Sequence, residues 1–247
     1  MLTIQSAQND TYKKFLSLTG SKGLKKEGLF LLSGENLVRE FLKRPHLNIN
    51  AELLTPKIKP MSGALKIELT AELFNEIDVV GTGSSILVLE QPPMAELDKA
   101  ALLQHQPDGI ELVAPLGDPG NLGALIRSAE AFGLRRVLLT AEAAHPFLPK
   151  CVKASAGSVL RMALARGPAL EEFPPSCLAL DAGGTSLHDF HWPKQGMLVV
   201  GEEGKGLGSA RFDHKLSIPT RGVESLNAVV AASVALALHA AAEIKKQ

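Results

Sequence analysis

From Pro107 onward the chain keeps one rhythm. Short apolar runs recur at Glu111–Pro115, Arg136–Leu139, Cys177–Leu180, Met197–Val200 and Lys215–Ile218, and helix-compatible segments lie between several of them. A parallel strand pair needs a crossover long enough to hold a helix, and that helix lies against the sheet. Apolar strands alternating with helices therefore predict a mostly parallel sheet with helices on both faces. This defines an α/β domain over residues 107–247.

The chain before it is organised differently. A polar helix is expected over Asp10–Leu18, then a basic turn from Ser21 to Lys26, then a strand at Leu29–Leu32 closed by Ser33-Gly34. A helix over Glu35–Lys43 follows, with Leu37, Val38, Phe41 and Leu42 on one stripe. Another strand is expected at Ile86–Leu89. Residues 1–91 thus read as a smaller α/β domain. Pro92-Pro93 breaks the pattern, and residues 92–106 read as a linker carrying a short helix that ends at Gln104-His105-Gln106.

Composition narrows the function classes. The chain has 247 residues, 45% of them apolar, which suffices for a real core in one or two domains. The formal net charge is zero, so no global basic field advertises a nucleic-acid partner. Aromatic residues are 4% of the chain, which argues against a stacking platform for single strands. The two cysteines, Cys151 and Cys177, match neither a disulfide framework nor a metal-ligand spacing, so no metal is expected. A reducing, cytoplasmic setting is the simplest expectation. The polar stretch Met1–Asn9 has no signal core, and no apolar run reaches the ~18 residues of a membrane span. The alanine-rich stretch Ala228–Ala242 comes nearest, but Ser233 and His239 interrupt it, so it reads as a buried helix.

Three motifs carry chemistry. The first, Leu116-Gly117-Asp118-Pro119-Gly120-Asn121-Leu122-Gly123, follows a strand and opens a helix. Leu122, Leu125, Ile126, Ala129 and Phe132 share one face of that helix, and Arg127 falls off it, free to point into a cleft. Asn121 is placed to cap the helix. The glycine spacing is neither a dinucleotide fingerprint nor a phosphate-cradling P-loop, which counts against a nucleotide-dependent oxidoreductase. The second motif runs a buried strand, Leu198-Val199-Val200, into Gly201-Glu202-Glu203-Gly204-Lys205-Gly206, where glycines let the backbone approach a ligand. The third is Ile218-Pro219-Thr220, then Arg221 to Asn227, then the alanine-rich helix, for which Ser225 or Asn227 can act as cap. Each motif alone reads as caps and turns. Their ordered combination at strand ends, where open α/β sheets bind ligands, reads as a site.

In this order and these contexts the motifs resemble those of the SpoU/TrmH-type RNA ribose 2′-O-methyltransferases of the SPOUT superfamily. The family's first motif is matched by Asn121, Gly123 and Arg127, its second by Gly201, Glu203, Gly204 and Gly206, and its third by Ile218, Pro219, Ser225, Leu226 and Asn227. Lys153-Ala154-Ser155-Ala156-Gly157 is similar to a Ser-x-Gly segment of the family. The resemblance covers essentially all of residues 107–247. More weakly, residues 1–91 resemble the ribosomal-protein-like domain that many members use to hold substrate RNA.

The resemblance implies a trefoil knot in the C-terminal domain, a homodimer, and S-adenosylmethionine as methyl donor, held largely by backbone groups at Asp181, Ala182, Gly201, Gly206, Ile218 and Leu226. It implies methyl transfer to a ribose 2′-hydroxyl of structured RNA, ribosomal RNA in preference and transfer RNA as the alternative. It also implies that Arg127 acts on the hydroxyl; on physical grounds Arg127 is expected to bind the substrate phosphate as well, with Asn121, Glu203, Ser225 and Asn227 orienting it or the ribose. A guanidinium is effectively always protonated, so Arg127 is expected to stabilise developing alkoxide rather than to take a proton. Lys22, Lys25 and Lys26 stand where RNA phosphates would be met, as point charges without arginine's bidentate fork. The rival reading is an RNA-binding protein of the same fold that has lost catalysis.

Overall fold

A computed structural model describes residues 1–202 and 204–244, the side chain of Asp189 excepted. The chain divides into two units, one formed by Met1–Pro93 with His145–Gly157, the other by Met94–Ala144 with Ser158–Gln247.

The first unit opens with β1 (Leu2–Ile4), α1 (Asp10–Ser17), α2 (Ser21–Glu27), β2 (Leu29–Ser33) and α3 (Glu35–Lys43), and continues through β3 (Ile49–Leu54), β4 (Lys66–Leu69), α4 (Ala71–Ile77) and β5 (Ile86–Glu90). Its sheet runs β1-β4-β3-β5-β2. The pairs β1–β4 and β4–β3 are parallel, while β5 is antiparallel to both β3 and β2. Phe30, Leu32, Leu53, Ile67, Ile86 and Leu87 fill the core. The fully buried Glu52 of β3 is held by one loop, accepting from Met61 N at 2.6 Å, Ser62 N at 3.0 Å and Ser62 Oγ at 2.7 Å. Those donors offset the desolvation of its carboxylate.

The segment Ser21–Lys26, expected as a turn, is instead the helix α2. Leu24 is buried and anchors it, and Gly28 closes it in the left-handed conformation at φ 63°. Gly23 is required by the close approach of α1: a Cβ there would lie 2.0 Å from the Ser17 carbonyl oxygen.

The second unit contains β6 (Ala95–Glu96), α5 (Lys99–Gln104), β7 (Ile110–Ala114), α6 (Pro119–Ala131) and β8 (Arg136–Leu139). After the excursion 145–157, which carries α7 (Pro149–Ala154), come β9 (Ala163–Arg166), β10 (Leu178–Ser186), β11 (Gly196–Val199), β12 (His214–Ser217) and α8 (Ala228–Ile244). Its seven strands run β12-β10-β11-β7-β8-β9-β6, and every neighbouring pair is parallel. The expected α/β domain with a parallel sheet, and the smaller α/β unit before it, are both found.

Val113, Leu138, Ala165, Ala179 and Val199 come from five adjacent strands and join one buried cluster with Leu102 of α5. Cys177 belongs to the same cluster, and burial pushes its thiol up to about 12, so it is no thiolate nucleophile. On α6, Leu122, Leu125, Ile126 and Ala129 are buried as the stripe predicts, and Phe132 is partly buried. The helix α8 packs on α6, where the Ser128 and Ser233 hydroxyls lie 2.8 Å apart.

Residues 92–106 carry the expected short helix, α5, but also an unexpected strand, β6, which pairs with β9 at the edge of the seven-stranded sheet. Two residues are too short a run to show strand periodicity, so only the pairing reveals β6. The other departure is the segment 145–157. Phe147, almost fully buried, meets the Phe30 ring of β2 at 4.9 Å between centroids, and Lys153 Nζ donates to the Val80 carbonyl at 2.7 Å. The Ser-x-Gly segment ends this excursion, with Ala156 at φ 47° followed by Gly157 at φ 85°.

Candidate functional site

The second unit has a cleft of about 880 Å³ at the carboxyl ends of β11 and β12 and beside the middle of β10. The order of the sheet reverses beside it: β7, β8 and β9 run outward one way, and β11, β10 and β12 lie on the other side of β7. Loops diverge at such a switch point and leave a crevice.

Three local features shape the cleft. In β10, Leu180 and Thr185 both stand opposite Leu216 of β12, so residues 181–184 bulge out of the ladder into the cleft wall. The strands close again at Gly184, where a Cβ would lie 2.4 Å from the Lys215 carbonyl carbon. After β11 the chain makes a tight turn, with Glu202 N donating to Gly206 O at 2.7 Å and Gly206 N to Glu202 O at 2.8 Å. Gly204 and Gly206 take φ of 80° and 59°, which glycine adopts freely. A Cβ on Gly201 would sit 3.0 Å from the Gly206 carbonyl carbon, so the turn is as tight as a bare backbone allows. Third, Asn227 caps α8, its Oδ1 accepting from Val229 N at 2.9 Å and Val230 N at 3.2 Å.

The cleft brings together Asp181, Ala182, Gly201, Gly206, Ile218 and Leu226, and Ser225 and Asn227 also line it. The Asp181 carboxylate is engaged, accepting from Lys215 Nζ at 2.9 Å and Gly183 N at 2.9 Å. Lys215, then Gly183, holds its carboxyl below the usual carboxylate range. Its side chain ties the bulge to β12.

Asn121 and Arg127 are not among the lining residues. Both lie on α6, Arg127 exposed about two turns inside it. Asn121 is not the helix cap. Asp118 is, accepting from Asn121 N at 2.8 Å, and Pro119 fills the first helical position, where its missing N–H costs nothing. Glu203 lies outside the described residues. Two lining or flanking residues were not singled out from sequence: Lys215, which holds Asp181, and Glu202. The Glu202 carboxylate faces the first motif, with a Cβ built on Gly117 lying 3.6 Å from its Oε1. The only sequence signal for either was its position beside a motif residue.

A sequence model described as the SpoU rRNA Methylase family matches residues 112–237, which include all three motifs. The chain belongs to this family. Among relatives, it is 36% identical over 94% of its length to the ribosomal RNA small subunit methyltransferase G 2 of Syntrophobacter fumaroxidans, spanning only 48% of that protein. It is 28% identical over 95% of its length, and 97% of the other, to the 23S rRNA (guanosine(2553)-2'-O)-methyltransferase RlmP of Bacillus subtilis. Among solved structures, the SpoU methyltransferase AviRb from Streptomyces viridochromogenes in complex with the cofactor AdoMet superposes with a TM-score of 0.80, at 23% identity, covering 96% of this chain and 99% of that one. An AdoMet-bound rRNA methyltransferase from Sinorhizobium meliloti gives 0.76 at 24% identity, with 98% of each chain covered. These two likenesses show the shared fold.

In the first unit of this SpoU family chain, Lys22, Lys25 and Lys26 are exposed on α2 at positions that share a helix face. Glu27 lies 3.4 Å from Lys26 and 3.4 Å from Lys14, so part of that positive charge is offset within the unit. Among the described residues no group of three or more His, Cys, Asp or Glu could hold a metal ion, and no helix is long and apolar enough to cross a membrane.

Proposed function

We propose that this chain transfers a methyl group from S-adenosylmethionine to a ribose 2′-hydroxyl of structured RNA, ribosomal RNA in preference to transfer RNA. The observation that carries the reading is the cleft: the six positions assigned to the cofactor by family resemblance meet around one cavity. Its volume lies in the usual range for small-molecule sites, about 300–1,000 Å³. The bare backbone at Gly201 and Gly206 suits a ligand held by main-chain groups. Family membership and the likeness to RlmP, a 2'-O-methyltransferase, support the same reading. A trefoil knot and a homodimer belong to this proposal as well.

When bound, the cofactor supplies an activated methyl on a sulfonium. Residues of the chain position the acceptor. Arg127, exposed on α6, binds the phosphate beside the reacting ribose and stabilises the charge that develops on the hydroxyl oxygen. Asn121 and Glu203 orient the ribose or Arg127. Asn227 contributes by capping α8 and Ser225 by its place in the cleft wall. Lys22, Lys25 and Lys26 meet RNA phosphates, which makes binding salt-dependent.

The test is tritiated methyl transfer into RNA from cells lacking the gene, followed by mapping of the modified nucleotide. Arg127→Ala is expected to lower transfer at saturating RNA by at least about a hundredfold, the scale of a lost transition-state contact, with the fold unchanged by circular dichroism. Arg127→Lys is also expected to be poor, because the planar fork is lost. Near-normal transfer by Arg127→Ala would remove that residue from the mechanism. Wild-type protein that binds S-adenosylmethionine without modifying any RNA would overturn the enzymatic reading.

A further inference from the structure

We infer that Glu202 makes the cleft selective for positive charge, so that it favours a cationic sulfonium donor over the neutral thioether left after transfer. The inference rests on the reading of the cleft as an S-adenosylmethionine site. Glu202 directly follows Gly201, and its main chain is fixed by the two hydrogen bonds to Gly206. It lines the cleft, and its Oε1 faces the loop that joins β7 to α6, 3.6 Å from where a Gly117 Cβ would stand. The carboxylate thus lies at the seam between the cleft and the first motif, because β11 and β7 are neighbours in the sheet. A methyl group leaves the cleft toward its acceptor, and the acceptor-handling residues Asn121 and Arg127 are on α6. The seam is therefore the end of the cleft where the sulfonium charge belongs.

Among the described residues, the other charged side chains that line the cleft do not perform this role. Asp181 is matched by Lys215 at 2.9 Å. Glu224 is exposed on the loop before α8. Lys205 approaches Glu202 Oε2 only to 3.7 Å, with a side chain 79% exposed against 30% for Glu202. That partner is well solvated and offsets the carboxylate only in part.

In the transfer the hydroxyl oxygen bonds to the methyl carbon, the carbon–sulfur pair stays on sulfur, and the hydroxyl proton passes to water. Sulfur goes from cationic to neutral, so the attraction to Glu202 exists before the step and is gone after it. Such a contact favours the ground state and does not speed the chemistry. Its effect is on exchange: the spent thioether is released and the donor replaces it.

Calorimetric titration of the full chain with S-adenosylmethionine and with S-adenosylhomocysteine isolates this term, because the two ligands share everything except the methyl and its charge. Glu202→Gln should lower the donor-to-product affinity ratio about tenfold, the size of one partly screened charge pair. Lys205→Met should raise the ratio. In the wild type, added salt should shrink it, a measurement that needs no variant to fold. An unchanged ratio in Glu202→Gln, with both ligands still bound, overturns the role of Glu202 while leaving the cofactor reading intact. A wild-type protein that binds neither ligand overturns the cofactor reading and this inference with it.

Discussion

The tightest packing around the cleft is at single glycines, and their substitution has a defined cost. A Cβ at Gly184 would overlap the Lys215–Leu216 backbone, at 2.4 Å from Lys215 C and 2.5 Å from Leu216 N. Backbone cannot rotate aside as a side chain can, so Gly184→Ala is expected to destabilise the protein by about 1–3 kcal/mol, read by chemical denaturation. The Asp181–Lys215 pair gives a pH dependence of known sign. Lys215 lowers the Asp181 pKa in the folded chain, so the stabilisation is present above the ordinary carboxylate range and fades as pH falls through the lowered value. Lys215→Met should therefore be less stable than wild type near neutrality, by about 1 kcal/mol or less for so exposed a pair, and the two should converge in acid. Denaturation curves at several pH values check this. The glycines and the Ile218–Asn227 segment were legible in the sequence because their spacing and order are local. Lys215 and Glu202 were not, because what each touches depends on which strands are neighbours, β10 with β12 and β11 with β7.

Most elements were legible where an apolar run or stripe is long enough to show a period. The helix α3 spans the expected Glu35–Lys43, and β8 the expected Arg136–Leu139. Short or polar elements were not. The strand β10 continues past the bulge at Asp181-Ala182-Gly183-Gly184 to Ser186, a stretch with no strand-like pattern, because Thr185 and Ser186 pair again with β12 and Ser217 Oγ donates to Gly184 O at 2.8 Å. Capping chemistry was assigned one turn out of place on α6, where Asp118 holds the position expected of Asn121. Asp118→Ala is expected to cost about 0.5–2 kcal/mol in denaturation experiments, because its carboxylate is what accepts from the Asn121 backbone N–H.

At the scale of the molecule, the two units are not successive stretches of chain. The chain passes from the first unit to the second after Pro93, returns at His145 and leaves again after Gly157. Phe147→Ala should destabilise the first unit by about 3–5 kcal/mol, although residue 147 lies far from residues 1–93 in sequence, because Phe147 is 1% exposed and stacks on Phe30. Hydrogen exchange in β2 would report the loss. The excursion also limits how this architecture can be recombined. A graft that moves only residues 1–93 onto another second unit leaves Phe30 without its ring partner and leaves α7 behind. A working chimera has to carry residues 145–157 along, so the exchangeable part is a discontinuous cassette that no single cut in the gene can separate.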